Sequence, residues 1–203
     1  MTHTAGVVGV AVPLAGVAAV LALTGLPACS SPSANPTSTS TSTSRPSTVA
    51  PSATAADADF VRHMLVHHGR ALELGQAACD RGTDARVRAF GTRILTEQTP
   101  ERGHLQEWVT ALGIAPMPET DHQGAAGYVT DDAYRRLLAE PAPAFDRDAL
   151  LLSASSEQGA VEMSRTELAA GTYAPARELA TSIVGAQDGE IPELRRLAAD
   201  LPG

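Results

Sequence analysis

Residues 63–70 read HMLVHHGR. Three of the six histidines in the chain fall within these residues, and Met64 adjoins the first. Neutral imidazole is a common ligand for zinc, copper, nickel and iron, and a thioether beside it shifts the preference towards copper. His63 and His67 stand at i and i+4, the spacing of paired histidines in zinc-binding helices. Met64 stands one helical turn before His68. Further on, Glu101-Arg-Gly-His104 has the Glu-x-x-His spacing of di-iron bundles, but the later stretch Glu190-Ile-Pro-Glu193 lacks the second histidine. A second reading of the same residues needs no metal: polar side chains in a helical core, held by hydrogen bonds to one another.

These residues require helices to position them. On a wheel advancing about 100° per residue from Phe60, the apolar face of the first helix contains Met64, Ala71, Val61, Leu65 and Leu72. His68 falls well inside this face, His67 on its edge and His63 beside it. On the second helix, Gln98 and Glu101 share the face of Ile94, Leu95, Leu105 and Val109.

The chain repeats itself at an offset of 89 residues. Asp59 falls on Asp148, Gly82 on Gly171, Arg88 on Arg177, Ile94 on Ile183, and Gln98 and Glu101 fall on Gln187 and Glu190. His67 falls on Ser156 and His68 on Glu157. Two copies, 59–112 and 148–201, each read as helix, glycine stop, helix. The helices are expected over 59–80, 84–112, 147–169 and 174–200. A connector over 113–147 contains Met117, His122 and DDAYRRLLAE, a short helix. Pro100 and Pro192 lie inside the second and fourth long helices, where proline removes a backbone bond and favours a kink. Two hairpins, each with one apolar stripe, bury it by packing together. The expected fold is therefore all-α, a four-helix bundle made of two repeated helical hairpins.

Antiparallel helices bring their midpoints to one level. His67, His68, Glu157, Gln98, Glu101, Gln187 and Glu190 should then form a polar layer across the bundle. Buried carboxylates are costly unless paired or metal-bound. Either a protonated His68 pairs with Glu157 while the glutamines bridge the rest, or a metal sits there. In the second case His67 and His68 are the main ligands, with His63, Met64, Glu101 and Glu157 as additional donors.

The first 28 residues are apolar and small, ending in LPA before Cys29. That pattern reads as a lipoprotein signal over 1–28, cleaved before an acylated Cys29, with an uncleaved membrane anchor as the alternative. Residues 29–56, rich in Ser, Thr, Pro and Ala, read as a disordered tether, since they have too little apolar surface to offset chain entropy. The folded part is then 57–203, extracytoplasmic and held to the bacterial cell membrane by lipid. Its single cysteine, Cys79, excludes an internal disulfide. A net charge of −8, with 15 basic residues that are all arginine, argues against nucleic acid. Aromatics are only 3%, so Leu, Ile, Val and Ala must build the core.

The stretches DFVRHMLVHHGRALELG, EQGAVEMSRTELAAG and AQDGEIPELRRL resemble the domain of unknown function 305 family over 59–201. The resemblance implies a ferritin-like four-helix bundle, often secreted or lipid-anchored in bacteria. In some relatives it implies copper binding through His and Met. The family's His-His pair corresponds to His67 and His68. Ser156 and Glu157 stand where a second pair is common. The expected function is thus a lipid-anchored metal-binding bundle, with copper as the expected ion. The alternative is a structural or protein-interaction module at the cell surface without metal. Ser153, Ser155 and Ser156 have no histidine base arranged near them in the sequence, so an enzyme is the least favoured reading.

Overall fold

Thr54 and Asp57 begin the folded part. The Thr54 hydroxyl accepts the Asp57 N–H at 3.2 Å, and the Asp57 carboxylate accepts the Thr54 N–H at 2.6 Å. This capping box satisfies two of the donors that a helix leaves orphaned at its start. It opens α1 (Ala55–Arg81) four residues before the position expected from the apolar pattern. The computed structural model describes residues 53–201. The signal over 1–28, Cys29 and the tether up to residue 52 lie outside the described residues.

Gly82 ends α1, and the Asp84 side chain caps α2 (Ala85–Ala111) by accepting the Arg86 N–H at 2.7 Å. At Gly113 the chain turns with φ 63°, a left-handed conformation that glycine adopts without steric cost. The connector holds a 3-10 turn, Glu119–His122, and α3 (Asp131–Ala139), which is the expected DDAYRRLLAE helix. Pro143 lies in the first turn of α4 (Ala142–Ala170), where its missing N–H costs nothing. Gly171 ends α4, and α5 (Ala174–Asp200) closes the fold. All secondary structure among the described residues is helical. α2 and α5 each continue through their interior proline.

α1 packs along α2, α4 along α5, and the two hairpins meet where α1 lies on α4. Small residues allow this close approach. A Cβ on Gly91 would stand 2.5 Å from the Gly75 carbonyl oxygen, so α1 and α2 touch backbone to backbone there. The core is aliphatic, with Val61, Met64, Leu105, Leu150, Val161 and Leu194 all buried, and the Phe145 ring is buried with them. Burying each such side chain is worth about 1.5–3 kcal/mol.

The hairpins clasp each other at both ends. Asp57 accepts the N–H groups of Thr172 and Tyr173 in the α4–α5 turn, both at 2.8 Å. Asp146, which is 89 residues later, accepts those of Thr83 and Asp84 in the α1–α2 turn, at 3.0 and 2.7 Å. Arg88 and Arg177 bond the carbonyls of Gly82 and Gly171 in their own turns, at 2.8 and 2.9 Å. The contacts made by each turn therefore recur at the sequence offset, and they require α1 and α4 to run antiparallel.

The connector is held against α4 by a glycine pair. Gly127 has φ 68°, and a Cβ there would meet the Ser156 carbonyl oxygen at 2.7 Å; a Cβ on Gly159 would run into the backbone of Ala126. This contact brings His122 back over α1.

Candidate metal centre

His67 and His68 are both buried, at 4% and 0% exposure. The sequence pattern placed His67 on the edge of the apolar face. The structure centres that face closer to Phe60 and Met64, because α1 packs on both α2 and α4, and Leu65 and Leu72 are left half-buried. Adjacent residues on a helix point about 100° apart, so the two rings face different helices.

His67 faces α4. Its Nε2 lies 2.9 Å from the Ser156 carbonyl oxygen and 3.1 Å from the Ser156 hydroxyl. These two residues are 89 apart, so equivalent positions of the two halves meet at the centre of the bundle. A carbonyl can only accept, so Nε2 carries the proton and Nδ1 holds the lone pair. Burial, with His68 alongside, pushes the pKa of His67 down to about 4, which keeps the ring neutral.

His68 faces α2. Its Nε2 lies 2.9 Å from a Glu101 carboxylate oxygen. This corrects the pairing with Glu157 expected from the sequence: Glu101 comes from the hairpin partner, and Glu157 lies on the other half. In both rings Nδ1 is buried and has no hydrogen-bond partner. A histidine whose second nitrogen donates to a backbone carbonyl or a carboxylate has the orientation and tautomer of a metal ligand.

The second half lacks this arrangement. Glu157 and Glu190 occupy the places of His68 and Glu101, so two carboxyls replace an imidazole–carboxylate pair. Burial and then the Glu190 charge push the Glu157 pKa up to about 8, and neither of its oxygens has a hydrogen-bond partner. Arg93 stands 3.4 Å from Glu190 and offsets part of its charge. Gln98 and Gln187 are buried with their carbonyl oxygens unpartnered. His67, Gln98, Ser156 and Glu157 line a cavity of about 10 Å³, room for one water-sized particle. His67, His68, Gln98, Ser156, Glu157 and Gln187 are buried, and Glu101 and Glu190 are half-buried.

The other candidates separate from it. Met64 is fully buried in an apolar cluster with Phe60, Val61, Leu105 and Ile114. His63 does not join His67. Its Nδ1 faces Nδ1 of His122 at 3.1 Å, a partner from the connector that helical spacing could not reveal. His104 points outward, stacked on Trp108 and 3.6 Å from Glu107. The Glu101-x-x-His104 spacing therefore does not converge on one ion.

The sequence matches the family model of the domain of unknown function 305 (DUF305) over residues 57–198. The chain belongs to that family. A DUF305 protein from Streptomyces coelicolor, described as secreted, has the same fold with a TM-score of 0.64 and 26% identity, covering 73% of this chain and 95% of that one. A DUF305 fragment from Deinococcus radiodurans gives 0.67 and 28%, covering 74% and 100%. CopM in its Cu(I)-bound form gives 0.60 and 19%, covering 71% and 96%; at that identity the likeness is one of fold. No curated protein matches the sequence.

In this DUF305 bundle no three His, Cys, Asp or Glu side chains converge as a metal cage among the described residues. The donor set nonetheless fits a soft or borderline ion of low coordination number, with the His67 and His68 rings each held through Nε2 and each with an unpartnered Nδ1. The Ser156 hydroxyl lies beside His67, a contact not readable from sequence, yet the Ser156 carbonyl holds the same nitrogen as a donor. That ring cannot act as base for the hydroxyl, and both residues are buried. Among the described residues no helix is long and apolar enough to cross a membrane.

Proposed function

We propose that this chain is an extracytoplasmic metal-binding bundle that handles copper and is tethered to the membrane by lipid on Cys29. His67 and His68 are its main ligands, and Glu157, which lines the same cavity as His67, is the additional donor. Glu101 orients His68, and Gln98, Gln187 and Glu190 surround the site. The observation that carries the reading is the pair of buried imidazoles, each held through Nε2 by an oxygen acceptor and each with an unpartnered Nδ1. The shared fold of CopM, which has been crystallised with Cu(I) and Cu(II), agrees with it.

The decisive experiment titrates Cu(I), Cu(II), Zn(II) and Fe(II) into the wild type and into His67→Ala/His68→Ala. The reading expects about one equivalent of copper to be lost in the double variant. Binding no tighter than about 10 μM, roughly 7 kcal/mol, would leave the layer as a packing device of a surface interaction module. Cys29→Ser should release the protein from membranes, and mass spectrometry of the wild type should find acyl chains on Cys29.

A further inference from the structure

We propose a second metal site, separate from the buried pair, in which Nδ1 of His63 and Nδ1 of His122 bind one divalent first-row transition ion where the connector packs over α1. The two nitrogens face each other at 3.1 Å, with ring centroids 4.9 Å apart and planes crossed at 85°. Two nitrogens bound to one ion at about 2.05 Å subtend about 100° at the metal when they are 3.1 Å apart, between square-planar and tetrahedral angles. The same chelate places the ring centroids about 4.8 Å apart, whereas a linear N–H···N hydrogen bond places them about 5.3 Å apart. The observed separations fit the chelate and equally a bent N–H···N hydrogen bond, in which a metal ion would replace the shared proton.

The surroundings suit an ion. His122 is 1% exposed and held in place by the connector, which Gly127 seats on α4, while His63 is half-buried on α1. One ligand thus comes from a helix and one from a loop fixed against another helix, so the pair is pre-positioned. His63 opens on a cleft of about 450 Å³ that Asp59, Met163 and Glu167 also line. The cleft supplies the entry path that a metal site needs. Among the described residues no third imidazole, thiolate or carboxylate converges there, so the ion would keep positions open to water in the cleft. Such a site exchanges its ion readily.

The site does not rest on the buried pair, and one experiment separates them. The full chain in detergent micelles is titrated with Zn(II), and the ring nitrogens of each histidine are followed by NMR. The proposal expects the Nδ1 signals of His63 and His122 to move together and saturate at one equivalent. It also expects His63→Ala and His122→Ala each to weaken that binding at least tenfold, while His104→Ala leaves it unchanged. His63 is half-buried, so His63→Ala keeps the test valid if the buried His122 variant fails to fold. The proposal is overturned if the two Nδ1 signals stay fixed at saturating Zn(II), or if His63→Ala binds as the wild type does. Movement confined to His67 and His68 would likewise overturn it and leave the buried pair as the metal site.

Discussion

Glu167 sets the clearest pH dependence at the level of single residues. It is 1% exposed beside Asp57, and burial, followed by the hydrogen bond and charge of Asp57, pushes its pKa up to about 7. The folded state then keeps a proton that the unfolded chain has lost. This contribution is fully present below about pH 4.5 and is lost as pH rises to about 7. Glu167→Gln should remove it. We expect the variant to exceed the wild type in urea stability at pH 8 by on the order of 2 kcal/mol, and to match it at pH 4. Asp57 acts with the opposite sign. Burial opposes its charge, but hydrogen bonds from Thr54 and Tyr173 outweigh burial and hold it well below the usual carboxylate range. Its stabilisation is therefore present at neutral pH and fades only in strong acid. Glu157→His should replace a carboxyl–carboxyl contact with an imidazole–carboxylate pair to Glu190, as His68 has with Glu101. A gain of about 1 kcal/mol at pH 7 is expected. A loss would show that Arg93 and Glu190 leave no room for the ring.

Among the helices, the reciprocal aspartates and the connector glycines do the positioning. Asp57→Ala or Asp146→Ala leaves two turn N–H groups without their acceptor and should cost about 2 kcal/mol. The two sites lie at opposite ends of α1, so the double variant should be close to additive, as a thermodynamic cycle in urea would measure. Gly159→Ala forces a side chain into Ala126 and must lift the connector off α4. We expect destabilisation of about 1–3 kcal/mol and a changed NMR environment at His122. An unshifted His122 would show that the seat does not position it. Much at this scale is legible in the sequence: the four long helices, the α3 helix, the glycine stops and the offset of 89. The start of α1 is not, because its capping box lies in a stretch whose composition resembles the tether.

At the scale of the whole molecule, two hairpins related by the offset meet along α1 and α4, and the polar layer lies where equivalent residues approach. The halves are unequal there: one has His67, His68 and Glu101, and the other has Ser156, Glu157 and Glu190. The bundle therefore presents a single imidazole pair at its centre, and metal capacity there should be one ion per chain.

The sequence by itself determined the helical class, the two-hairpin plan, the family and the inward direction of His68, Gln98 and Gln187. The family rests on the resemblance of motif stretches such as DFVRHMLVHHGRALELG; the others follow from periodicity, glycine and proline positions or internal repetition, all of which act locally along the chain. Only the tertiary structure decided which partner each polar group found. His68 meets Glu101 instead of Glu157, His67 meets Ser156, and His63 turns to His122. A helical wheel gives direction from one axis, whereas these choices depend on the distances between axes and on where Gly127 seats the connector.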